Sequence, residues 1–399
     1  MNITDIETFV VANPPPSFGG RYWIFVKLVT NDQIVGYGEV YSLPFGPKVA
    51  ETMIRDVADR FLIGEDPHHI ERFWRRAYGA GYMLRPDVSM MGIVSGLETA
   101  CWDIIGKAAG KPVYELLGGK VHERLRSYTY LYPDESDPEP GEAGHVYSDP
   151  DRAAERALDY VNQGFTAVKF DPVGGYSVFD PRQLSLEALD RSERFVRKIR
   201  DAVGDRADLL FGTHGQLTVS AAIRLAKRLE PSDPLWFEEP VPPEKPEEMA
   251  MVARQTSVPI ATGERLTTKY EFSRVLERGA ASILQPALGR VGGLLEAKKI
   301  AGLAEAHYAQ LAPHLYCGPI EAAANIQLAA CSPNFLILES IQTFGDFHSK
   351  ILDRPIVWDD GHVIPSSEPG IGVALNEAVA RKHPYEGDNL HLEMEPHPL

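Results

Sequence analysis

The chain has 399 residues, 44% hydrophobic and 24% charged, the make-up of a soluble globular protein too long for one ordinary domain, although α/β barrels run large. Its formal net charge of −16 argues against nucleic acid and anionic lipid as partners, because such a surface repels phosphate. An acidic substrate would therefore need local positive charge, from a metal ion or from Lys and Arg in its pocket.

Arg21–Leu28 and Ile34–Val40 are β-rich runs joined by the hairpin signal Thr30-Asn31-Asp32. Helical patterns follow over Val49–Leu62, His68–Tyr78 and Met90–Ala109, and Gly110-Lys111-Pro112 stops the third. Strands followed by helices mark an α+β domain over residues 1–120. From about Leu125 short β-rich runs alternate with helical patterns. The strand candidates are Ser127–Tyr132, Ala167–Phe170, Asp208–Phe211, Leu235–Glu238, Ile260–Thr262, Ser282–Gln285, Gln310–Ala312 and Leu336–Leu338. Helical segments such as Leu184–Val203, Ser220–Leu229, Lys245–Gln255 and Leu294–His307 lie between them. Repeated βα units make a parallel sheet, and eight can close into a (β/α) barrel over residues 121–350. Spacing alone leaves an open doubly wound sheet as the alternative. Residues 351–399 carry the turn Asp359-Asp360-Gly361-His362 and are expected to return to the first domain. The acidic, proline-rich stretch Pro133–Gly144 is expected to be a loop. Three cysteines, Cys101, Cys317 and Cys331, do not make a disulfide framework, and together with the lack of a leader pattern in Met1–Val11 they point to the cytoplasm. No run of about 18 apolar residues predicts a membrane span.

In a parallel barrel the active site lies at the C-terminal ends of the strands, so the polar residues there are the candidates. Strand two ends Lys169-Phe170-Asp171, strand three Gly212-Thr213-His214, strand four Glu238-Glu239-Pro240, strand five Gly263-Glu264-Arg265, strand seven Pro313-His314 and strand eight Glu339-Ser340. Any one of these charges has an ordinary structural explanation: Glu238 as a turn cap, Glu264 paired with Arg265, Lys169 paired with Asp171. Six on one rim are harder to explain that way. Two glutamates on neighbouring strands suit a hard cation such as Mg²⁺. His214 and His314 suit general acid and base, and Lys169 suits a carboxylate or enolate oxygen.

Phe237-Glu238-Glu239-Pro240, Ala261-Thr262-Gly263-Glu264-Arg265, Ile283-Leu284-Gln285-Pro286 with Arg290-Val291-Gly292-Gly293, and Ala312-Pro313-His314 together resemble the mandelate racemase branch of the enolase superfamily. The nearest likeness is to galactonate-dehydratase-like acid-sugar dehydratases. Ser95-Gly96-Leu97-Glu98-Thr99-Ala100-Cys101-Trp102-Asp103 and Pro369-Gly370-Ile371-Gly372-Val373 extend the resemblance over nearly the whole chain. It implies a capping domain over a modified TIM barrel, and one Mg²⁺ held by carboxylates on strands three, four and five. It also implies removal of the proton beside a substrate carboxylate, and a homo-oligomer. Position by position, Glu238 and Glu264 match metal ligands, His314 the base and His214 the acid. Lys169 matches the first lysine of the strand-two motif, and Glu339 a residue near the substrate carboxylate. Arg265, Tyr22 and Tyr130 are expected substrate contacts, with Arg21, Tyr41 and Tyr132 as further candidates, and the loop from Pro14 to Tyr22 and the segment Tyr41–Pro47 are expected to close over the pocket.

Three positions depart from the pattern. Gly212 stands where a metal-binding aspartate belongs, Ala287 where an aspartate would orient His314, and Asp171 where many relatives have a second lysine. Asp171 is expected to supply the missing metal ligand in the space the glycine leaves. Nothing in the sequence compensates for Ala287, so Lys169 or His214 as base stays open. The implied reaction is dehydration of an aldonate or aldarate to a 2-keto-3-deoxy acid. The alternatives are a racemase, epimerase or cycloisomerase on a hydroxy acid, or a weakened relative that binds an acidic sugar.

Overall fold

In a computed structural model that describes every residue except Ser42, 139–141 and 143, the chain opens with an antiparallel sheet of β1 (Ile3–Ala12), β2 (Tyr22–Thr30) and β3 (Val35–Val40). The sequence does not reveal β1. A register shift between Ile3 and Asp5 sets Ile3 and Ile6 against one core, and the strand then buries Phe9 and Val11 against the other on its opposite face, so its buried positions do not follow a single period of two. Helices α1 (Pro47–Phe61), α2 (Ile70–Tyr78) and α3 (Val88–Ala109) cover the sheet, and the short α4 (Val113–Leu116) follows. By length and composition α3 is apolar enough to cross a membrane, but 78% of its most apolar stretch is buried. It is the core helix of this domain. Glycines on both partners let it approach the sheet: a Cβ on Gly38 would stand 1.9 Å from the Gly96 carbonyl oxygen.

The second part alternates strands and helices: β4 (Leu125–Tyr130), α5 (Pro150–Gln163), β5 (Ala167–Phe170), α6 (Leu186–Val203), β6 (Asp208–Gly212), α7 (Val219–Leu229), β7 (Trp236–Glu238), α8 (Pro246–Ala253), β8 (Ile260–Thr262), α9 (Thr268–Arg278) and β9 (Ile283–Leu284). It continues with α10 (Leu288–Val291), α11 (Leu294–Ala306), β10 (Gln310–Leu311), α12 (Pro319–Ala330) and β11 (Leu338–Ser340). Neighbouring strands from β4 to β10 are parallel, and β11 returns to pair with β4. The Leu336 N–H donates to the Leu311 carbonyl (2.8 Å) and completes the ring. The sheet is therefore a closed barrel, not an open doubly wound one. The eighth strand lies two residues later than its apolar run, because Phe335 and Leu336 serve β10 first and Leu338–Ser340 then cross to β4. Tyr128, Leu210, Trp236, Ile283 and Ile337 fill the barrel interior.

The short α13 (Asp346–Lys350) leads to a hairpin of β12 (Val357–Asp359) and β13 (His362–Ile364). β13 pairs antiparallel with Leu125 and Arg126, at the N-terminal end of β4, opposite the rim formed by the C-terminal ends of the strands. After it, α14 (Glu377–Ala380) brings the chain back to the first sheet, where Ala12 N–H donates to the His383 carbonyl (2.8 Å) and Tyr385 N–H to the Val10 carbonyl (2.9 Å).

Buried acids of the first domain fasten the two parts together. Glu98 on α3 accepts from Leu294 N–H (2.7 Å) and Leu295 N–H (2.9 Å), at the start of α11. Glu39 on β3 accepts from Gly318 N–H (2.6 Å) and Glu321 N–H (3.0 Å), at the start of α12. A carboxylate suits these places because helix N-termini carry unpaired N–H groups and partial positive charge. Asp103 holds the tail by accepting from Tyr37 N–H (2.9 Å) and Ile371 N–H (3.0 Å). Part of the loop expected over Pro133–Gly144, and Ser42 within the segment Tyr41–Pro47, lie outside the described residues.

Candidate active site

The strand ends bring Lys169, Glu238, Glu264, His314 and Glu339 into one charged cluster. Lys169 on β5 is buried, and its ammonium donates to Glu238 Oε1 (2.8 Å) and Glu339 Oε1 (3.2 Å). Burial works against the charge, but the two carboxylates outweigh it and hold the lysine pKa well above its ordinary value. The position depends on Gly212: a Cβ there would lie 2.5 Å from Lys169 Cε. Lys169 pairs with Leu210 across the sheet, and Gly212 is one pleat further on the same face. The long lysine side chain leans into the space the glycine leaves.

Glu238 on β7 is enclosed by donors. Its Oε2 accepts from Trp236 Nε1 (3.1 Å) and Gln285 Nε2 (2.7 Å), while its Oε1 faces Lys169. Trp236 shares its face of the strand at the two-residue period; Gln285, just after β9, is a partner of Glu238 that sequence reasoning did not single out. Burial and the carboxylates of Glu264 and Glu339 push the Glu238 carboxyl up against the pull of Lys169. Glu339 Oε2 accepts from Leu315 N–H (2.8 Å).

Glu264 follows β8 and meets His314, which follows β10: His314 Nε2 lies 3.3 Å from Glu264 Oε2. His314 Nδ1 is buried without a hydrogen-bond partner. Burial lowers the His314 pKa to about 4 despite Glu264, so the ring is neutral near pH 7. Burial alone would raise the Glu264 carboxyl, but the positive charges of His214, Lys169 and Arg265 around it hold it below its usual range. His214 behaves in the opposite way to His314. Burial opposes its charge, yet Asp171 and Glu264 prevail and its pKa rises. Its ring stacks on Tyr176 with centroids 4.4 Å apart, and its Nδ1 lies 3.8 Å from Asp171 Oδ2. The two imidazoles thus sit in environments that shift them in opposite directions.

Four of the placements read from the sequence differ in the structure. Asp171 does not occupy the space beside Gly212, because Lys169 does. Its Oδ1 accepts from Val173 N–H (2.7 Å) and Gly174 N–H (3.1 Å), and its other oxygen faces His214. Nor does it pair with Lys169. Tyr22 is buried on β2 against tail residues, with its ring stacked on Tyr385 at 4.5 Å and edge-on to His391 at 5.8 Å; it belongs to the packing of the capping sheet. Arg265 does not pair with Glu264. Its Nε donates to Glu239 Oε2 (2.8 Å). Glu239 adopts a left-handed φ of 35°, strain of the kind that gathers at functional sites. Tyr130 lies edge-on to Tyr147 at 5.8 Å and close to Tyr132 at 5.9 Å, an aromatic wall beside the rim. From the capping domain Tyr41 reaches the site, 6.0 Å from the His314 ring and under the Arg290 guanidinium at 4.3 Å.

The superfamily generally uses Mg²⁺. The residues here do not fit the site it implies. Gly212 offers no side-chain oxygen, an ammonium stands beside it, and both Glu238 oxygens face protein donors. Among the described residues, no group of three or more His, Cys, Asp or Glu side chains is disposed to hold a metal ion.

An α+β cap on a closed parallel barrel, with a cluster of buried ionisable side chains on the rim beneath it, is the architecture of a two-domain barrel enzyme. Residues 6–118 match the mandelate racemase/muconate lactonizing enzyme N-terminal domain and residues 152–379 the enolase C-terminal domain-like family. The chain therefore belongs to the mandelate racemase/muconate lactonizing enzyme family of the enolase superfamily. It is 35% identical to a D-galactonate dehydratase of Ralstonia nicotianae over 387 residues, 95% of this chain and 93% of that one. Among solved structures, it is 67% identical to a candidate mandelate racemase/muconate lactonizing enzyme from Labrenzia alexandrii (TM-score 0.96, covering 100% of this chain and 99% of that one). It is 50% identical to a mandelate racemase/muconate lactonizing enzyme-like protein from Roseovarius (TM-score 0.96, 100% and 99%).

Proposed function

We propose that the protein dehydrates a sugar acid, an aldonate or aldarate of the kind named for its D-galactonate dehydratase relatives. The observation that carries this is the convergence of two imidazoles and one ammonium on a single rim: Lys169 tied to Glu238 and Glu339, His314 against Glu264, and His214 against Asp171. Neutral His314 takes the proton from the carbon beside the carboxylate. The electron pair is first held as an enediolate on the carboxylate, and then forms a carbon–carbon double bond as the β carbon–oxygen bond breaks. His214 gives its proton to the departing hydroxyl, which leaves as water. The remaining enol tautomerises to a 2-keto-3-deoxy acid. Lys169 neutralises the carboxylate on which charge builds. The closed hydrophobic barrel beneath and Tyr41 above keep solvent from these groups and strengthen each interaction.

The test is incubation with a panel of aldonic and aldaric acids in D₂O, assayed for 2-keto acid and for deuterium beside the carboxylate. His214→Asn should slow keto acid formation by roughly 10²–10⁴-fold while deuterium exchange continues, and His314→Asn should remove both. Exchange with the β-hydroxyl retained by the wild type would replace dehydration with epimerisation.

A further inference from the structure

Taking a proton from beside a carboxylate puts a second negative charge on that group, and something fixed and positive must meet it. This question rests on the dehydration proposed above, but its answer concerns ion binding and can be tested separately.

Four features of the rim bear on it. First, a carboxylate side chain at 212 and Lys169 in its present place exclude each other, since a Cβ alone would come within 2.5 Å of Cε. Second, the Glu238 and Glu339 carboxylates already have partners: Lys169 Nζ for both, Trp236 and Gln285 for the first, and Leu315 N–H for the second. A divalent ion would have to displace these donors and sit beside an ammonium that repels it. Third, Ala287, bridged to His314 along the neighbouring strand ends, offers no carboxylate, and His314 Nδ1 is buried without a hydrogen-bond partner. Fourth, Glu264 meets His314 from the other side, through Nε2 at 3.3 Å. With no carboxylate at 212 or 287, Glu238 and Glu264 have Lys169 and His314 as their partners.

We propose that this centre works without a divalent cation, with the Lys169 ammonium meeting the charge on the substrate and Glu264 acting as the positioning residue for His314. The substrate carboxylate enters as a further ligand of Lys169, exchanging with Glu339 or sharing the ammonium with it. Glu264 holds one ring nitrogen of His314 and fixes the orientation of the imidazole, the service an aspartate renders to a catalytic histidine elsewhere.

The decisive measurement needs no substrate. The purified full chain is dialysed against chelator, its metal content is determined, and its unfolding midpoint is followed as Mg²⁺ or Mn²⁺ is added. The expected result is no stoichiometric metal and no saturable rise in midpoint. A saturable rise that chelator reverses overturns the proposal and leaves dehydration standing. In the complementary case the chain binds no metal and no sugar acid is turned over; dehydration then fails while the cation-free centre stands. With a substrate in hand, chelator should leave the rate unchanged. Glu264→Gln should lower kcat roughly 10²-fold with KM held within about twofold, and Glu264→Asp should recover part of the loss. A Glu264→Gln enzyme with wild-type kcat would overturn the role given to Glu264.

Discussion

Gly212→Ala isolates the contact on which the rim depends. The backbone at 212 needs no left-handed conformation, so alanine fits it locally, but its methyl would stand 2.5 Å from Lys169 Cε, 3.2 Å from Cγ and 3.4 Å from Cδ. Ordinary contact begins near 3.4 Å, so Cε must move by close to an ångström while Nζ is held by Glu238 at 2.8 Å and Glu339 at 3.2 Å. Deleting one partner of a buried ion pair costs about 3–5 kcal/mol, which sets the ceiling. The lysine stem is flexible and keeps part of the attraction, so the expected loss is about 2–3 kcal/mol in unfolding free energy. Displacing the ammonium should also cost roughly 10²-fold in kcat, the scale of losing one preorganised electrostatic donor. Urea unfolding gives the first quantity and 2-keto acid formation the second. A Gly212→Ala protein with the wild-type midpoint and turnover would mean that Lys169 is not where the structure puts it, and the account of the rim would fall.

Gly302 lies inside α11, and a methyl added there would meet nothing within 4 Å, so Gly302→Ala should stabilise the chain by about 0.5–1 kcal/mol; a loss in urea unfolding would contradict this. Glu98→Ala strands the Leu294 and Leu295 N–H groups in a buried interface, and about 2–4 kcal/mol of stability should go with them; calorimetry showing less than about 1 kcal/mol would count against this fastening. Burial raises the Glu321 carboxyl from 4.5 to about 7. The folded chain therefore holds a proton there that the unfolded chain releases, a stabilisation complete below about pH 4.5 and lost as pH rises through about 7. Glu321→Gln removes that loss, so its stability relative to wild type should climb between about pH 5 and pH 8, by up to about 3 kcal/mol. A difference that stays flat over that range would show that Glu321 does not titrate so.

The barrel and its rim were legible because βα alternation and ionisable residues at strand ends are local patterns. The partners on the rim were not. Lys169 fills the gap at Gly212 only because β5 and β6 are neighbours in a particular register. Glu264 reaches His314 across an intervening strand, β9, through barrel curvature that no spacing encodes. Gln285 stood inside a recognised motif, yet its partner Glu238 lies 47 residues away. The strand β1 escaped because a bulge near its start and burial on both of its faces, against different cores, leave no single period to read. The run from Ser95 to Asp103 stood out as a motif without a reason; the structure supplies one in Glu98 and Asp103, which fasten α11 and the tail.

The return of the tail to β1 has a consequence for how the molecule is made. The outer edge of β1 is covered by residues near His383 and Tyr385, which leave the ribosome long after it. At about 5–20 residues per second, that edge waits on the order of 20–75 s for its partner. During synthesis the first sheet therefore presents an open strand, the kind of surface that recruits a neighbouring nascent chain. A late segment is the one that closes an early one.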